Sequence, residues 1–134
     1  MDFENLSEEQ ILQRLLEADS LPQKTVRLER LGIPVTLRGL TGKQVYSIRE
    51  RCTFQNERRG QGGGRLDDEQ FNTALIAAAT VTPNWGESRL LAKYSASGPE
   101  EVIKRILLAG EMSALGNMVL DLSGFFTSLV EVKN

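Results

Sequence analysis

Residues 97–111 read Ser-Gly-Pro-Glu-Glu-Val-Ile-Lys-Arg-Ile-Leu-Leu-Ala-Gly-Glu and carry the clearest helix signal in the chain. Pro99 suits a first helical turn, where no N–H is needed, and the two glutamates after it oppose the positive end of the helix dipole. A stripe of apolar residues follows on one helix face: Val102, Ile103, Ile106 and Leu107. The stretch predicts an amphipathic helix over about 99–109 and a joint to the next helix at Gly110-Glu111.

Similar helix signals occur along most of the chain. Ser7 and Thr41 each precede a glutamine by three residues, which is the spacing of a capping box. Asp67 is placed to cap a further helix, which Thr82-Pro83 should end. We predict a compact bundle of six to seven short helices over about 8–18, 42–53, 67–82, 87–95, 99–109, 111–122 and 124–131.

Two short runs instead alternate apolar and polar residues, which is typical of strands. Their apolar members are Val26 and Leu28, then Val35 and Leu37. The pattern predicts one small β-hairpin near residues 25–39. Because Pro34 has no N–H to close a two-residue turn at Gly32-Ile33, either the loop is wider or the two runs do not pair. The fold class is therefore mainly α, and α+β at most.

The composition is that of a globular protein, with 40% apolar and 25% charged residues in 134. This length predicts a single domain over 1–134, within which the Gly/Arg-rich segment 55–66 forms a flexible loop. The lone Cys52 cannot form an intramolecular disulfide, and the acidic start does not resemble a signal peptide. The longest apolar run, at 74–79, is too short to cross a bilayer. We expect a soluble, cytoplasmic protein without a membrane partner.

The net charge of −2 conceals an uneven distribution. Residues 1–23 hold one basic and six acidic side chains, residues 24–66 hold ten and three, and residues 67–134 hold five and nine. These patches either pair with one another inside the fold or steer head-to-tail contact with another copy or an oppositely charged partner. Nucleic acid is a weaker third interpretation because the flanks of the basic centre are acidic.

The residues for catalysis are missing. The chain has no histidine, and its single cysteine lacks an imidazole partner. The acidic run at 67–69 lacks the spaced ligands and turn glycine of a calcium loop. We therefore predict no enzymatic activity, no catalytic or metal-binding residues, no cofactor and no small-molecule substrate, and we interpret Cys52 and Trp85 as core residues.

Short motifs occur along the chain in a definite order. In the first half they are Arg30-Leu31-Gly32-Ile33 and Leu40-Thr41. In the second half they are Pro83-Asn84, Leu90-Leu91-Ala92-Lys93-Tyr94, Pro99-Glu100, Leu107-Leu108-Ala109-Gly110-Glu111, Leu122-Ser123-Gly124 and Val132-Lys133-Asn134. Their order and approximate spacing resemble the tail assembly chaperones of long-tailed bacteriophages and Gram-positive prophages, of the XkdN-like type. The chain departs from the pattern at Trp85, where an aliphatic residue is expected, and in its long Gly/Arg-rich loop.

The resemblance implies a non-enzymatic role in phage assembly. Such a chaperone binds the tape measure protein, keeps it soluble and helps tail-tube subunits gather around it, without remaining in the virion. Two rival functions stay open, a structural subunit of the mature tail and a small DNA-binding regulator. The regulator would need a basic recognition helix, for which Lys43 to Arg59 is the best candidate.

Two apolar clusters near the chain ends are the candidate partner-binding residues. They are Ile11, Leu12, Leu15 and Leu16 on the first helix, and Phe125, Phe126, Leu129 and Val130 on the last. Because chain ends usually fray, both clusters need something to pack on. Either they pack on each other or on the body, or at least one lies against a second copy or an extended helical client such as a tape measure protein.

Overall fold

The computed structural model describes residues 5–18, 21–54, 65–126 and 129. This part of the chain contains six helices and five short strands. The helices are α1 (Glu8–Glu17), α2 (Gly42–Arg51), α3 (Asp68–Ala79), α4 (Ser88–Tyr94), α5 (Pro99–Ile106) and α6 (Ala109–Leu122). The strands are β1 (Gln23–Leu28), β2 (Ile33–Arg38), β3 (Thr53–Phe54), β4 (Arg65–Leu66) and β5 (Thr80–Thr82). The predicted fold class, mainly α with a small sheet, is confirmed.

The predicted hairpin is present as β1 and β2, which pair antiparallel with Val26 opposite Val35. Its loop spans residues 29–32, so the wider of the two alternatives is correct. The loop closes when the N–H of Gly32 donates to the carbonyl of Leu28 at 2.8 Å, and Gly32 itself has a left-handed φ of 65°. The sheet turns Leu28, Val35 and Leu37 into the core, and its other face is polar.

The prediction that the Asp67-capped helix continues to Thr82-Pro83 is wrong. Helix α3 ends at Ala79, and the next three residues form β5, which pairs antiparallel with β2. The run Thr-Val-Thr is β-branched throughout, so it loses little when it leaves the helix and gains hydrogen bonds from the sheet. The three-stranded sheet therefore has the order β1-β2-β5.

The joint between the two helices within residues 97–111 also differs from the prediction. Helix α5 ends at Ile106, Leu107 is extended, and α6 already begins at Ala109. Leu107 leaves the helix because its side chain is buried in the core, with only 6% exposed. The carboxylate of Glu111 accepts the backbone N–H of Leu108 at 2.8 Å and so stabilises the start of α6 before Gly110.

The described part of the chain shows no helix in the predicted range 124–131. Gly124 has a φ of 87°, the N–H of Phe125 donates to the carbonyl of Leu120, and that of Gly124 donates to Asp121. These two bonds form a Schellman motif, which ends α6. Phe125 and Phe126 therefore lie in the turn after α6 rather than on a helix.

The core lies between the inner face of the sheet and the helices. Helix α3 packs against α2, α5 and α6, and its Leu75 and Ile76 are fully buried. Cys52 and Trp85 are core residues, as predicted, and the indole N–H of Trp85 donates to Thr80 Oγ1 at 3.1 Å.

The Gly/Arg-rich segment predicted as a flexible loop lies mostly outside the described residues, at 55–64. Its last two residues, Arg65 and Leu66, are not loop, because they form β4 and pair with β3. Across the described ranges, no helix has the length and apolar character required to cross a membrane.

Candidate partner-binding site

Helix α1 presents its apolar stripe to solvent. Its start is well formed, because Ser7 and Gln10 make the predicted capping box, at 3.2 Å and 2.8 Å. None of its ten residues is buried. Ile11 and Leu12 are 46% exposed, and Leu15 and Leu16 are 68% and 69% exposed. In the structure, the body therefore does not bury the apolar cluster of α1.

The C-terminal cluster is also exposed where the structure describes it. Phe125 is 50% exposed, Phe126 63% and Leu129 94%. Val130, the remaining predicted residue, lies outside the described residues. The terminal apolar segments, α1 and the turn with Phe125 and Phe126, thus share the property expected of a docking surface, apolar side chains that the fold leaves uncovered.

Both terminal segments leave the body at one place, which we call the Gly39–Leu40 junction. The N–H of Gly39 donates to the carbonyl of Pro22 at 2.8 Å, on the connection from α1. The next N–H, that of Leu40, donates to Ser123 Oγ at 2.9 Å, at the end of α6. Ser123 is oriented by its own bond to the carbonyl of Val119 at 2.6 Å. Two successive backbone amides therefore hold Pro22, on the connection after α1, and Ser123, just before the C-terminal segment.

Gly39 is required at this junction by space. A Cβ built on it would overlap the carbonyl oxygen of Leu122 and lie 3.2 Å from Pro22 Cγ. No side chain larger than hydrogen fits without a shift of the backbone. The sequence pattern does not single out Gly39 because the contacts that crowd it come from residues distant along the chain.

A second uncovered surface is a groove of about 460 Å³ between β1 and α6. Its apolar lining is formed by Val26 and Leu28 on the β1 side and by Ala114, Leu115 and Met118 on the α6 side. Ala114 is exposed, while Val26 and Met118 are half-buried. The sequence interpretation missed this groove, because its two walls are far apart in the chain.

One end of the groove is closed by an ion pair between the hairpin loop and α6. Arg30 donates to both carboxylate oxygens of Glu111, at 2.7 Å and 3.1 Å, and also to the carbonyl of Ile106 at 2.7 Å. These hydrogen bonds, with that from the Leu108 N–H, hold the pKa of Glu111 below its usual value. The pair joins two sequence motifs that lie about eighty residues apart.

The family model described as phage XkdN-like tail assembly chaperone protein matches residues 12–134. The chain belongs to this tail assembly chaperone family. Among solved structures, the chain is similar to the crystal structure of the protein YqbN, with 20% identity and a TM-score of 0.58 over 93% of this chain and 98% of that one. This likeness concerns the fold. A comparison with curated proteins gives no match.

Several family motifs have a structural role in this member. Leu122-Ser123-Gly124 ends α6 and completes the Gly39–Leu40 junction, and Arg30 and Glu111 connect the hairpin to the α5–α6 joint. Trp85, where the sequence interpretation expected an aliphatic residue, fills a core position. These motifs stabilise the body and its junction, whereas the apolar side chains of the terminal segments are exposed.

The basic centre is partly neutralised inside this family member. Arg51 pairs with Glu100 at 3.4 Å, and the guanidinium of Arg49 lies 5.7 Å from the centre of the Phe71 ring. These two arginines belong to the proposed DNA-recognition helix, and both are engaged within the fold. The interpretation that the charge patches pair with each other accounts for Arg30 and Arg51.

Two observations on the described residues concern metal binding and the single cysteine. No group of three or more acidic or cysteine side chains there is placed to hold a metal ion. Burial raises the pKa of the Cys52 thiol, which disfavours the thiolate needed for nucleophilic chemistry. The geometry offers apolar surfaces for partners.

Proposed function

We propose that this tail assembly chaperone binds the tape measure protein during assembly in the host cytoplasm, keeps it soluble and helps tail-tube subunits gather around it. The binding surface is formed by the terminal apolar segments. Family membership supports the assembly role, and the exposure of these segments supports their use as the docking surface. The role needs no catalytic residue and no cofactor.

The observation that carries the proposal is the bare apolar stripe of α1. Full burial of an aliphatic side chain of this size stabilises by about 1.5–3 kcal/mol relative to exposure. In the isolated fold, the four aliphatic side chains on α1 are only partly covered, so they gain only part of this free energy. A partner that covers the stripe recovers that free energy, and so a client gains affinity from α1.

The shape of the surface favours a helical client. Ile11, Leu12, Leu15 and Leu16 recur at the spacing of one helix face, which fits an apolar stripe on a second helix. The junction brings Ser123, just before Phe125 and Phe126, close to Pro22, which lies between α1 and β1. We therefore propose that both segments contact one client. A second copy of the chain competes for the same stripe in this scheme.

The test co-expresses the chain with a tape measure protein from the same phage genome and measures capture in a pull-down. Leu15→Asp and Phe126→Asp should keep the helical content by circular dichroism and lose capture, because a charge buried at an interface costs several kcal/mol. Gln13→Asp is the matched control, since it places the same carboxylate on the polar face of α1. This control should retain capture.

Retained capture by both variants would place the client site elsewhere, with the basic centre as the next candidate. Sedimentation measurements distinguish the client from a second copy, because a variant that loses only self-association points to oligomerisation. Mass spectrometry of purified phage particles addresses the rival function. A stoichiometric amount of this chain in finished tails would identify a structural subunit instead of a chaperone.

A further inference from the structure

The outer edge of β1 has no strand partner among the described residues. The sheet order β1-β2-β5 places β1 at one side, and all six residues of β1 pair only with β2. An uncovered strand edge is a template for another extended chain. The edge begins at Gln23, next to the Gly39–Leu40 junction, and includes no residue of the terminal apolar segments.

The ladder determines which backbone groups of β1 are free. The bond from the Gly39 N–H to the Pro22 carbonyl makes residues 22 and 39 a hydrogen-bonded pair. Because such pairs alternate along an antiparallel ladder, the N–H and C=O groups of Gln23, Thr25 and Arg27 point outward. Two details agree with this: Pro34, which has no N–H, faces Arg27, and the hydroxyls of Thr25 and Thr36 lie 2.7 Å apart.

The groove between β1 and α6 lies where the inward side chains of an added strand would go. Val26 and Leu28 form its β1 wall, and Ala114, Leu115 and Met118 form its α6 wall. In a fourth strand, side chains at every second residue would point into this groove and the others toward solvent. The open edge and the apolar groove are thus two parts of one surface.

The charge of this surface is basic on balance, because its acidic members are only Glu29, which is exposed, and Glu111, which is paired with Arg30. Lys24, Arg27 and Arg38 lie on β1 and β2, all are exposed, and none forms an ion pair within the residues that the structure describes. Arg27 and Arg38 share the solvent face of the hairpin. Pairing of β1 with the same strand of a second copy would bring these like charges together, which is unfavourable.

We propose that β1 accepts an extended, acidic segment of another protein as a fourth strand. Its backbone pairs with Gln23, Thr25 and Arg27, its apolar residues fill the groove over Ala114 and Met118, and its acidic residues face Arg27 and Arg38. This surface is independent of the terminal apolar segments, and the proposal stands whether or not those segments bind the tape measure protein.

The test uses a fluorescein-labelled peptide of the length of β1 in which valine and glutamate alternate, with fluorescence polarisation as the readout. A peptide with lysine in place of glutamate is the charge control. We expect saturable binding of the acidic peptide alone, weakened by added salt. Hydrogen exchange by NMR should show new protection of the Thr25 and Arg27 amides.

Thr25→Pro removes one outward N–H and leaves the bonds between β1 and β2 in place, as proline is tolerated at a free strand edge. It should weaken the peptide affinity by about tenfold or more. Thr25→Val is the matched control, because it removes the hydroxyl and keeps the N–H, and its affinity should match that of the unmodified chain.

A double variant, Arg27→Glu with Arg38→Glu, keeps the test decisive if Thr25→Pro does not fold. It should lose the acidic peptide and bind the lysine peptide instead. Absence of binding to the unmodified chain, or equal binding to the double variant, would overturn the proposal. A dimer of the unmodified chain that Thr25→Pro abolishes in sedimentation would also overturn it, since a second copy would then occupy the edge.

Discussion

Helices α1 and α5 carry the same kind of apolar stripe and differ in what lies against it. Both begin with two glutamates in the first turn, and α1 has the more complete cap. In α5, Val102 and Ile103 are fully buried, whereas Leu15 on α1 is 68% exposed. The difference shows that local sequence specifies a helix and its apolar face but does not specify what covers that face.

The neighbours of the two helices explain the difference. Helix α5 packs against α3 and α4, and its stripe is buried at Val102 and Ile103 and half-buried at Ile106. Helix α1 reaches the body through Leu21 and Pro22, both exposed, and contributes no buried residue. The α5 stripe is therefore core, and we propose the α1 stripe as a binding surface for a partner.

The largest effect is expected at the end of α5. Leu107→Asp places an unpaired carboxylate at a position only 6% exposed and should destabilise the fold by about 4 kcal/mol or more. This loss is large against the 5–15 kcal/mol typical of a whole domain. Thermal and urea unfolding measure it, and an unchanged melting temperature would mean that this stripe is not core.

The adjacent residue provides a matched control with the opposite sign. Leu108 is 56% exposed and occupies the N-cap position of α6, without a side-chain cap. Leu108→Asp should therefore stabilise by about 0.5–1 kcal/mol, because aspartate can accept the free N–H groups of the first turn. Equal losses in both variants would contradict the contrast between buried and exposed positions in this segment.

A smaller effect is expected at the Gly39–Leu40 junction, where the body meets the terminal segments. Gly39→Ala forces a Cβ against the Leu122 carbonyl and should cost about 1–3 kcal/mol. Gly42→Ala is the control, since nothing lies within 4 Å of its Cβ position at the start of α2. It should be neutral or slightly stabilising. Urea unfolding of both variants tests whether the crowding at Gly39 is real.

Much of this fold could be predicted from local signals. The capping boxes at Ser7 and Thr41, the cap at Asp67 and the proline at position 99 correctly predicted helix starts. Helix ends were less predictable, because long-range contacts determine them. Pairing with β2 draws Thr80–Thr82 into the sheet, and core burial pulls Leu107 out of α5.

The apolar clusters proposed as the site are visible in the sequence, but their exposure and geometry are not. Periodicity identifies the apolar clusters at both ends. Their exposure depends on whether other parts of the fold pack against them, which local sequence does not reveal. The helix expected for Phe125 and Phe126 fails because Gly124 favours the left-handed turn of a Schellman motif. The β1–α6 groove left no local signal, since its walls meet only in the folded chain.

The smallest effect concerns the ion pair between Arg30 and Glu111, which joins the hairpin to the start of α6. Glu111 has a folded-state pKa below 4.5 because it accepts hydrogen bonds from Arg30 and the Leu108 N–H. Its contribution to stability is therefore fully present above pH 4.5 and is lost as the pH falls through the lower folded-state value.

Glu111→Gln should be less stable than the unmodified chain at neutral pH and equally stable in acid. Urea unfolding at both pH values measures this, with Glu29→Gln as the control for net charge, and a difference that persists in acid would mean that packing, not the charge, holds the joint.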